Sequence, residues 1–233
     1  MGTSLPGDDR HAFAEALTRL VTADTADDLC DPFVTATGVT GAAISTLGKP
    51  LGSQTVCASS SIAARIDEIQ IDLGEGPCWD AVRTRRPILE NDLQRSSSGW
   101  PATMNSLRAL RIGSLYAFPL FVGQLNVGAV DLYNEEPGRL PPQTVEDVKV
   151  LAEVASRHLL RRALENLDRV EDGILDGPHS RREVHQATGM VAAQLSIGVD
   201  DALLVLRGRA FSSGRTLSEV SSDVVERRLT FDA

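Results

Sequence analysis

The sequence predicts an α+β fold, in which helices flank an antiparallel sheet, followed by a small all-α bundle of three helices. In the first two thirds of the chain, short apolar runs bounded by glycine alternate with amphipathic stretches. Two of those runs are neighbours separated by a few turn residues, which is typical of an antiparallel hairpin. Beyond residue 180 only helical periodicity remains, which indicates a separate helical unit.

The first elements are two helices, two strands and a third helix. An amphipathic segment from about Asp9 predicts a helix, and Thr25, which has an acid three residues later, predicts the cap of a second one. Residues 38–47 are short, apolar and bounded by glycines, so they predict a strand, as does the region 54–58. A helical pattern follows over 62–69.

The middle of the chain predicts a short helix and a hairpin. A glycine turn at 73–76 leads into a helix that ends at Pro87, followed by a strand at 88–92. A loop and a helix occupy 96–113. Two strands then flank a turn predicted at Gln124–Leu125–Asn126. This order of elements favours an antiparallel sheet.

A long helix is predicted from Pro142 toward Val170. Its apolar stripe exceeds the length of an average helix, which suggests that the helix extends beyond its own domain. We expect it to pair with the same helix of a second subunit in a homodimer. The alternative, packing along its own sheet, fits residues 145–160 equally well.

The last fifty residues predict three short helices. Ser180 has a glutamate three residues later, which is a capping pattern. Gly198 and Gly214 then interrupt the helical periodicity, and Thr216 is placed to cap the third helix.

Composition places the chain among soluble globular proteins. Of its 233 residues, 42% are hydrophobic and 24% are charged. No apolar run approaches the roughly 20 residues that span a bilayer, and the N-terminus lacks a secretory signal pattern, so we expect a cytoplasmic protein without membrane association. The three cysteines are an odd number in a long chain, and we therefore expect no disulfide framework.

Charge is unevenly divided along the chain. Residues 1–179 hold 16 basic and 25 acidic residues, a net charge of −9, whereas residues 180–233 hold seven of each. The first part would repel a phosphate backbone. Any nucleic-acid binding is therefore expected in the neutral, arginine-bearing tail.

The motifs of several enzyme classes are missing from the sequence. It contains no phosphate-binding P-loop, no dinucleotide fingerprint and no Cys-x-x-Cys pair. His179 and His185 are six residues apart, so they do not share a helix face as metal ligands would. Four scattered histidines form no catalytic constellation. We expect no enzyme activity, no metal and no cofactor.

The first part resembles the GAF family of ligand-sensing domains over residues 10–167. The resemblance depends on four segments in the order and spacing of that family: LGEGPCWDAV (73–82), RPILENDL (86–93), GWP (99–101) and FPLFVGQLNVGAVDLYN (118–134). It implies an antiparallel sheet and a small-molecule cavity.

The tail resembles the ANTAR domain, a three-helix RNA-binding module of transcription antiterminators, over residues 180–229. The resemblance depends on HQATGMVAAQLSIGVDDALLVLRGRAF and RTLSEVSSDVV. Residues 168–179 would form the linker. Together the two resemblances imply a regulator that senses a small molecule or redox state and binds RNA hairpins to control transcription termination.

The GAF resemblance implies four candidate ligand-binding residues. Cys78 follows a glycine turn at a helix start, where the helix dipole lowers a thiol pKa, so it is either redox-active or, as we favour, a small buried residue. Trp79 and Trp100 border the expected cavity, although core packing explains Trp79 as well. Asp131 lies in an apolar strand and needs a partner if buried. It would hold a ligand or tie down a loop.

The ANTAR resemblance implies that the first helix of the tail faces RNA. Ala187 and Gly189 would let helices approach closely, at a cost of about 1 kcal/mol for the glycine. Thr188 stands where the family usually has a lysine facing a phosphate, which puts strong RNA binding in doubt. The candidate RNA-binding residues are Arg181, Arg182, Gln186, Thr188, Arg207, Arg209 and Arg215.

Two alternatives remain open at this point. The tail is either an active RNA-binding domain or a degenerate ANTAR domain that serves only for dimerisation or contact with another protein. The first part also resembles GAF-type enzymes that reduce free methionine sulfoxide through cysteines, for which Cys57 and Cys78 would be the candidates. The appended helical tail has no use in that chemistry.

Overall fold

The computed structural model describes residues 6–48, 50–96, 99–171 and 179–231, and it divides into two compact units, 1–168 and 169–233. The helices of the first unit are α1 (Pro6–Val21), α2 (Asp31–Thr37), α3 (Ser61–Leu73), α4 (Pro77–Thr84), α5 (Pro101–Ala109) and α6 (Pro142–Glu171). Its strands are β1 (Gly41–Thr46), β2 (Gln54–Ala58), β3 (Ile88–Glu90), β4 (Ser114–Val122) and β5 (Leu125–Asn134). The second unit contains α7 (His179–Leu195), α8 (Val199–Ser213) and α9 (Leu217–Val225).

The five strands form one antiparallel sheet in the order β2-β1-β5-β4-β3. This confirms the predicted α+β class with an antiparallel sheet and a helical tail. The hairpin turn differs from the prediction. Leu125 pairs with Val122, so β5 begins there, and Gly123 and Gln124 form the turn.

Both faces of the sheet are covered by helices. Along β4, Phe118 and its even-numbered neighbours pack against α1, α2 and α6. Leu115 packs against α3 and α5, and Ala117 against α4. Because side chains alternate between the faces of a strand, burial on both sides requires the uninterrupted apolar runs seen in the sequence.

Local capping explains where several helices begin. The Ser60 hydroxyl accepts a hydrogen bond from the Ala63 N–H at the start of α3. The predicted cap at Thr216 is confirmed, since its hydroxyl and the Glu219 carboxylate form a reciprocal capping box. Thr25 bonds the carboxylate of Asp28, but the helix there is a short 3-10 turn before α2. α7 begins one residue before the predicted cap Ser180, whose side chain lies outside the described part of the structure.

The expectation of no disulfide is wrong. Cys30 and Cys57 are bonded, with their Cα atoms 6.1 Å apart, and join the residue before α2 to the edge strand β2. An odd number of cysteines excludes only complete pairing, and the remaining thiol is that of Cys78. The bond links a helix that covers the sheet to one edge of that sheet.

Candidate ligand and RNA sites

A cavity of about 460 Å³ lies beside the turn that joins α3 to α4. Trp79 and Trp100 both line it, as the sequence predicted for a cavity border. The other lining residues are Leu47, Gly48, Gly74, Glu75, Gly76, Asp80, Val82, Arg83 and Asn126. We call this the tryptophan cavity. Two indole rings, backbone groups of a glycine turn and a few polar side chains are typical of a small-molecule site.

Gln70, a residue of α3, connects three of the four predicted ligand-binding residues. Its side-chain carbonyl accepts a hydrogen bond from the Cys78 N–H at 2.9 Å, and its amide nitrogen donates to the Asp131 carboxylate. Its backbone carbonyl accepts from the Trp79 indole at 2.8 Å. Gln70 therefore fixes the Trp79 indole in the wall of the tryptophan cavity and ties the start of α4 to the sheet.

Gly76 lets the chain approach Gln70 closely. Its φ is +137°, and a Cβ at this position would lie 2.7 Å from the Gln70 side-chain oxygen. Neither the backbone angle nor the space allows another residue there. The glycine turn that reads as a simple turn in the sequence thus shapes the cavity.

The same turn is tied to the start of α5. The Glu75 carboxylate accepts hydrogen bonds from the backbone N–H groups of Ala102 and Thr103, each at 3.1 Å. The Thr103 hydroxyl donates to the Glu75 carbonyl at 2.9 Å. A carboxylate at a helix N-terminus satisfies donors that have no partner within the helix. These bonds fix the start of α5 beside the turn, and Trp100 is the residue before α5.

Asp131 is buried in the sheet and does not line the tryptophan cavity. Burial raises its pKa well above the ordinary value of 3.8, and the neighbouring Asp67 raises it further, against the hydrogen bond from Gln70. The second carboxylate oxygen of Asp131 is buried without a hydrogen-bond partner among the described residues. The structure thus gives Asp131 the partner Gln70, a side chain of the neighbouring helix α3.

Cys78 is fully buried, in agreement with the interpretation we favoured. Burial raises the pKa of its thiol well above the ordinary value, and the nearby Asp131 and Asp67 raise it further. The lowering expected from the helix start is therefore wrong, because desolvation outweighs the helix dipole here. A neutral buried thiol is a poor nucleophile.

In the second unit, α7, α8 and α9 share one apolar core of residues such as Ala187, Leu206 and Val220. Thr188 belongs to the inner side of α7. It is only 4% exposed, and its hydroxyl donates to the Val184 carbonyl at 2.6 Å. This placement does not favour a direct contact between Thr188 and a phosphate.

Gly189 does not lie at a close helix contact, contrary to the expectation. It is exposed, and an added Cβ would have no neighbour within 4 Å. Gln186 is exposed on the same helix. The outer face of α7 therefore carries polar or small residues that are exposed.

The predicted RNA-binding arginines differ in their surroundings. Arg209 is exposed, and its guanidinium has no ion-pair partner among the described residues, whereas Arg207 is half-buried. Arg215 bonds Asp223 at 2.7 Å and the Glu219 carbonyl at 3.1 Å, with 40% of its side chain exposed. Arg181 and Arg182 lie on α7, but their side chains fall outside the described residues. Among the described candidates, Arg209 is thus exposed and without an ion pair, whereas Arg215 is exposed and paired.

In the residues that the structure describes, no group of three or more histidine, cysteine or acidic side chains is arranged to hold a metal ion. None of the helices in the described part of the chain has, by itself, the length and apolar composition of a membrane span. Only a pair of helices bent by 105° reaches that length and composition together, namely Glu183–Leu195 and Val199–Ser213.

Family models match both units. The family model of the GAF domain matches residues 22–160, and that of the ANTAR domain matches residues 178–225. No curated protein sequence matches the chain significantly.

Two solved structures share the fold of the first unit. The chromophore-binding domain of a bacteriophytochrome from R. palustris is 12% identical, with a TM-score of 0.50, over 66% of this chain and 62% of that one. The GAF domain of an Acinetobacter phosphoenolpyruvate-protein phosphotransferase is 9% identical, with a TM-score of 0.51, over 67% of this chain and 95% of that one. The GAF match spans more than half of the sequence, and the ANTAR match follows it, so this chain belongs to the GAF-domain family and carries a C-terminal ANTAR domain.

Proposed function

We propose that the protein is a signal-responsive regulator of transcription termination. Its GAF unit binds a small molecule in the tryptophan cavity, and its ANTAR unit binds an RNA hairpin that would otherwise be part of a terminator. The observation that carries this proposal is the cavity lined by two tryptophans, in a chain that also carries an ANTAR domain. Gln70 holds the Trp79 indole, and Glu75 holds the helix that follows Trp100. Both domains are regulatory families, and a regulator of nascent transcripts works in the cytoplasm.

Signal transfer requires that the ligand bind one state of the protein better than the other, because only differential affinity shifts an equilibrium. We propose that α6, which ends the GAF unit, carries this difference and pairs with α6 of a second copy. α6 runs to Glu171, so it extends four residues into the proposed linker, residues 168–179.

RNA contact is proposed for the outer faces of α7 and α8. Arg209 and Gln186 are exposed, and Arg181 and Arg182 are on the same helix as Gln186. Arg207 and Arg215 would make weaker contacts at the margin of the RNA-binding surface, because Arg207 is half-buried and Arg215 is paired with Asp223. We leave Thr188 out of the contact set because its hydroxyl is bonded inside the unit.

A gel-shift selection from a hairpin library tests the RNA proposal. We expect hairpins to bind wild type, with affinity that falls as salt rises from about 50 to 200 mM, since phosphate contacts release counterions. Arg209→Glu should weaken binding at least tenfold. Arg227→Glu, an equal charge change at another exposed arginine of the same unit, should weaken it far less. An equal loss in both variants would indicate general charge attraction, and no binding at all would contradict the proposal.

A titration of tryptophan emission with a metabolite panel tests the cavity. Trp79 and Trp100 are the only tryptophans, so a cavity ligand should change the emission directly. Trp100→Phe should alter or remove the response. A ligand that changes RNA affinity without any effect of Trp79→Phe or Trp100→Phe would place the sensing elsewhere.

A second candidate function is that the ANTAR unit contacts protein rather than RNA. On α8, Leu204 and Phe211 are 66% and 59% exposed and lie on the face opposite the core. Large exposed apolar groups on one face are typical of protein contacts. If hairpin selection fails and Leu204→Glu changes the oligomeric state, this candidate replaces the first.

Redox state is a second candidate signal. In cytosolic proteins disulfides are rare and are often transient and redox-sensing, and Cys30–Cys57 joins α2 to the sheet edge. The methionine sulfoxide reductase alternative gains no support from Cys78, because that thiol is buried and its pKa is raised. Turnover of methionine sulfoxide that is lost in Cys78→Ser would reverse this conclusion.

A further inference from the structure

A second cavity, of about 360 Å³, lies on the other face of the sheet, between β4 and α6. We propose that it binds a small anion with an aromatic body, such as an aromatic carboxylate or sulfonate. We call it the α6 cavity. It belongs entirely to the GAF unit and shares no lining residue with the tryptophan cavity. The proposal does not depend on the function proposed above.

Much of the lining of the α6 cavity is apolar. Phe118, Pro119 and Val122 of β4 and Ala152 of α6 line it, as does Phe121, which is 39% exposed. A volume of this size, with aromatic and aliphatic walls, is in the range of ordinary ligand sites. The cavity therefore fits a compact apolar body.

The charged groups around this apolar lining are mostly cations. Arg85, Lys149 and Arg157 line the α6 cavity, with Glu153 as the one lining acid. Arg157 pairs with Glu153, and Lys149 pairs with Glu146 at 2.7 Å, both along the exposed side of α6. Such exposed pairs are weak, so a ligand anion can replace them. The cavity is positive on a domain whose overall charge is strongly negative.

Arg85 holds an uncompensated charge at the rim. It ends α4 with a φ of +55°, a left-handed angle that few residues other than glycine adopt. Its guanidinium donates to the Asn126 side chain at 3.0 Å and to the carbonyls of Gly123 and Gln124, and lies 5.3 Å from the centre of the Phe121 ring. These acceptors are neutral, so its charge has no carboxylate partner among the described residues.

A bound anion would bridge the β4–β5 turn and α6. Arg85 is bonded to the turn. The other two cations, Lys149 and Arg157, are eight residues apart on α6, and both line the cavity. Because α6 is the last helix before the ANTAR domain in the sequence, occupancy would act on the element that precedes that domain along the chain. The tryptophan cavity has no such direct contact with α6 among its lining residues.

Two fluorescent probes with similar aromatic bodies test the proposal on the full chain. 1-Anilinonaphthalene-8-sulfonate carries an anion, and N-phenyl-1-naphthylamine does not. We expect Lys149→Glu/Arg157→Glu to lower the affinity for the sulfonate probe at least tenfold and the affinity for the neutral probe less than twofold. Phe121→Ala should weaken both probes. Arg83→Glu, at the rim of the tryptophan cavity, should leave both unchanged.

Three outcomes would overturn the proposal. Equal sulfonate affinity in wild type and in Lys149→Glu/Arg157→Glu would show that the α6 cavity is not the anion site. An equal loss of both probes in that variant would indicate lost packing rather than lost charge. Loss of binding in Leu204→Glu alone would place the probe on the exposed face of α8. Far-UV circular dichroism verifies folding, and Arg157→Gln provides a milder variant with the same expected direction.

Discussion

Removing the Cys30–Cys57 disulfide should destabilise the GAF unit strongly. The bond joins residues 27 positions apart, and a cross-link that closes a loop of this size restricts the unfolded chain. The chain-entropy relation gives about 3.5 kcal/mol at 25 °C for such a loop. Both half-cystines are buried, so Cys57→Ser adds the cost of a buried hydroxyl, and reduction of wild type is the cleaner perturbation.

Urea unfolding followed by tryptophan emission measures this loss. Both tryptophans lie in the GAF unit, so their emission reports on that unit and not on the ANTAR bundle. With a slope of about 2 kcal/mol per molar urea, the unfolding midpoint should fall by roughly 1.8 M on reduction. The loss in the Cys30→Ser/Cys57→Ser double variant should be far smaller than the sum of the two single losses, because each variant removes the same bond.

A thiol count distinguishes the disulfide from two neighbouring free cysteines. Oxidised protein, once unfolded in urea, should react with one equivalent of thiol reagent, from Cys78. Three equivalents, or the same urea midpoint with and without reductant, would refute the reasoning. Additive losses in the double variant would also refute it.

Three further predictions concern single side chains. Because burial raises the pKa of Asp131, folding takes up a proton, and the free energy of unfolding should fall as pH rises from about 3.8 through the raised value. Asp131→Asn should flatten this slope in urea titrations at several pH values; an unchanged slope would mean that another group titrates. Gly189→Ala should raise the free energy of unfolding of the ANTAR unit by up to about 1 kcal/mol, since the added methyl group has no neighbour within 4 Å. A lower stability of this variant in thermal unfolding followed by circular dichroism would contradict the prediction. Thr216→Ala should cost about 1 kcal/mol in the same assay through loss of the capping box, whereas Ser218→Ala, next to it, should change little.

Most elements were predictable because their patterns are local. The glycine-bounded apolar runs predicted the strands, since burial on both sheet faces demands such runs. The cap at Thr216 was predictable from spacing, because a capping box involves only neighbouring residues. Two tryptophans in family-specific segments predicted the wall of the cavity.

Contacts between distant residues were less predictable. Cys30 and Cys57 are brought together by the fold, and no periodicity indicates this. Sequence reasoning did not identify Gln70, the residue that holds the Trp79 indole. A glutamine among Ile66, Ile69 and Ile71 on a helix was the available indication, because a buried amide needs partners. The family resemblance predicted that Thr188 faces RNA. In the structure Thr188 follows the buried Ala187 on α7 and is itself buried in the ANTAR unit.

The position of the disulfide at the sheet margin affects how the protein should be handled. β2 and β3 form the two edges, and β3 has only three residues, so β2 is the longer open edge. An unprotected edge is a template for strand pairing between molecules, and aggregation often begins there. The covalent link to the chain before α2 restrains that edge. Concentrated stocks kept in strong reductant should therefore turn turbid sooner than oxidised ones.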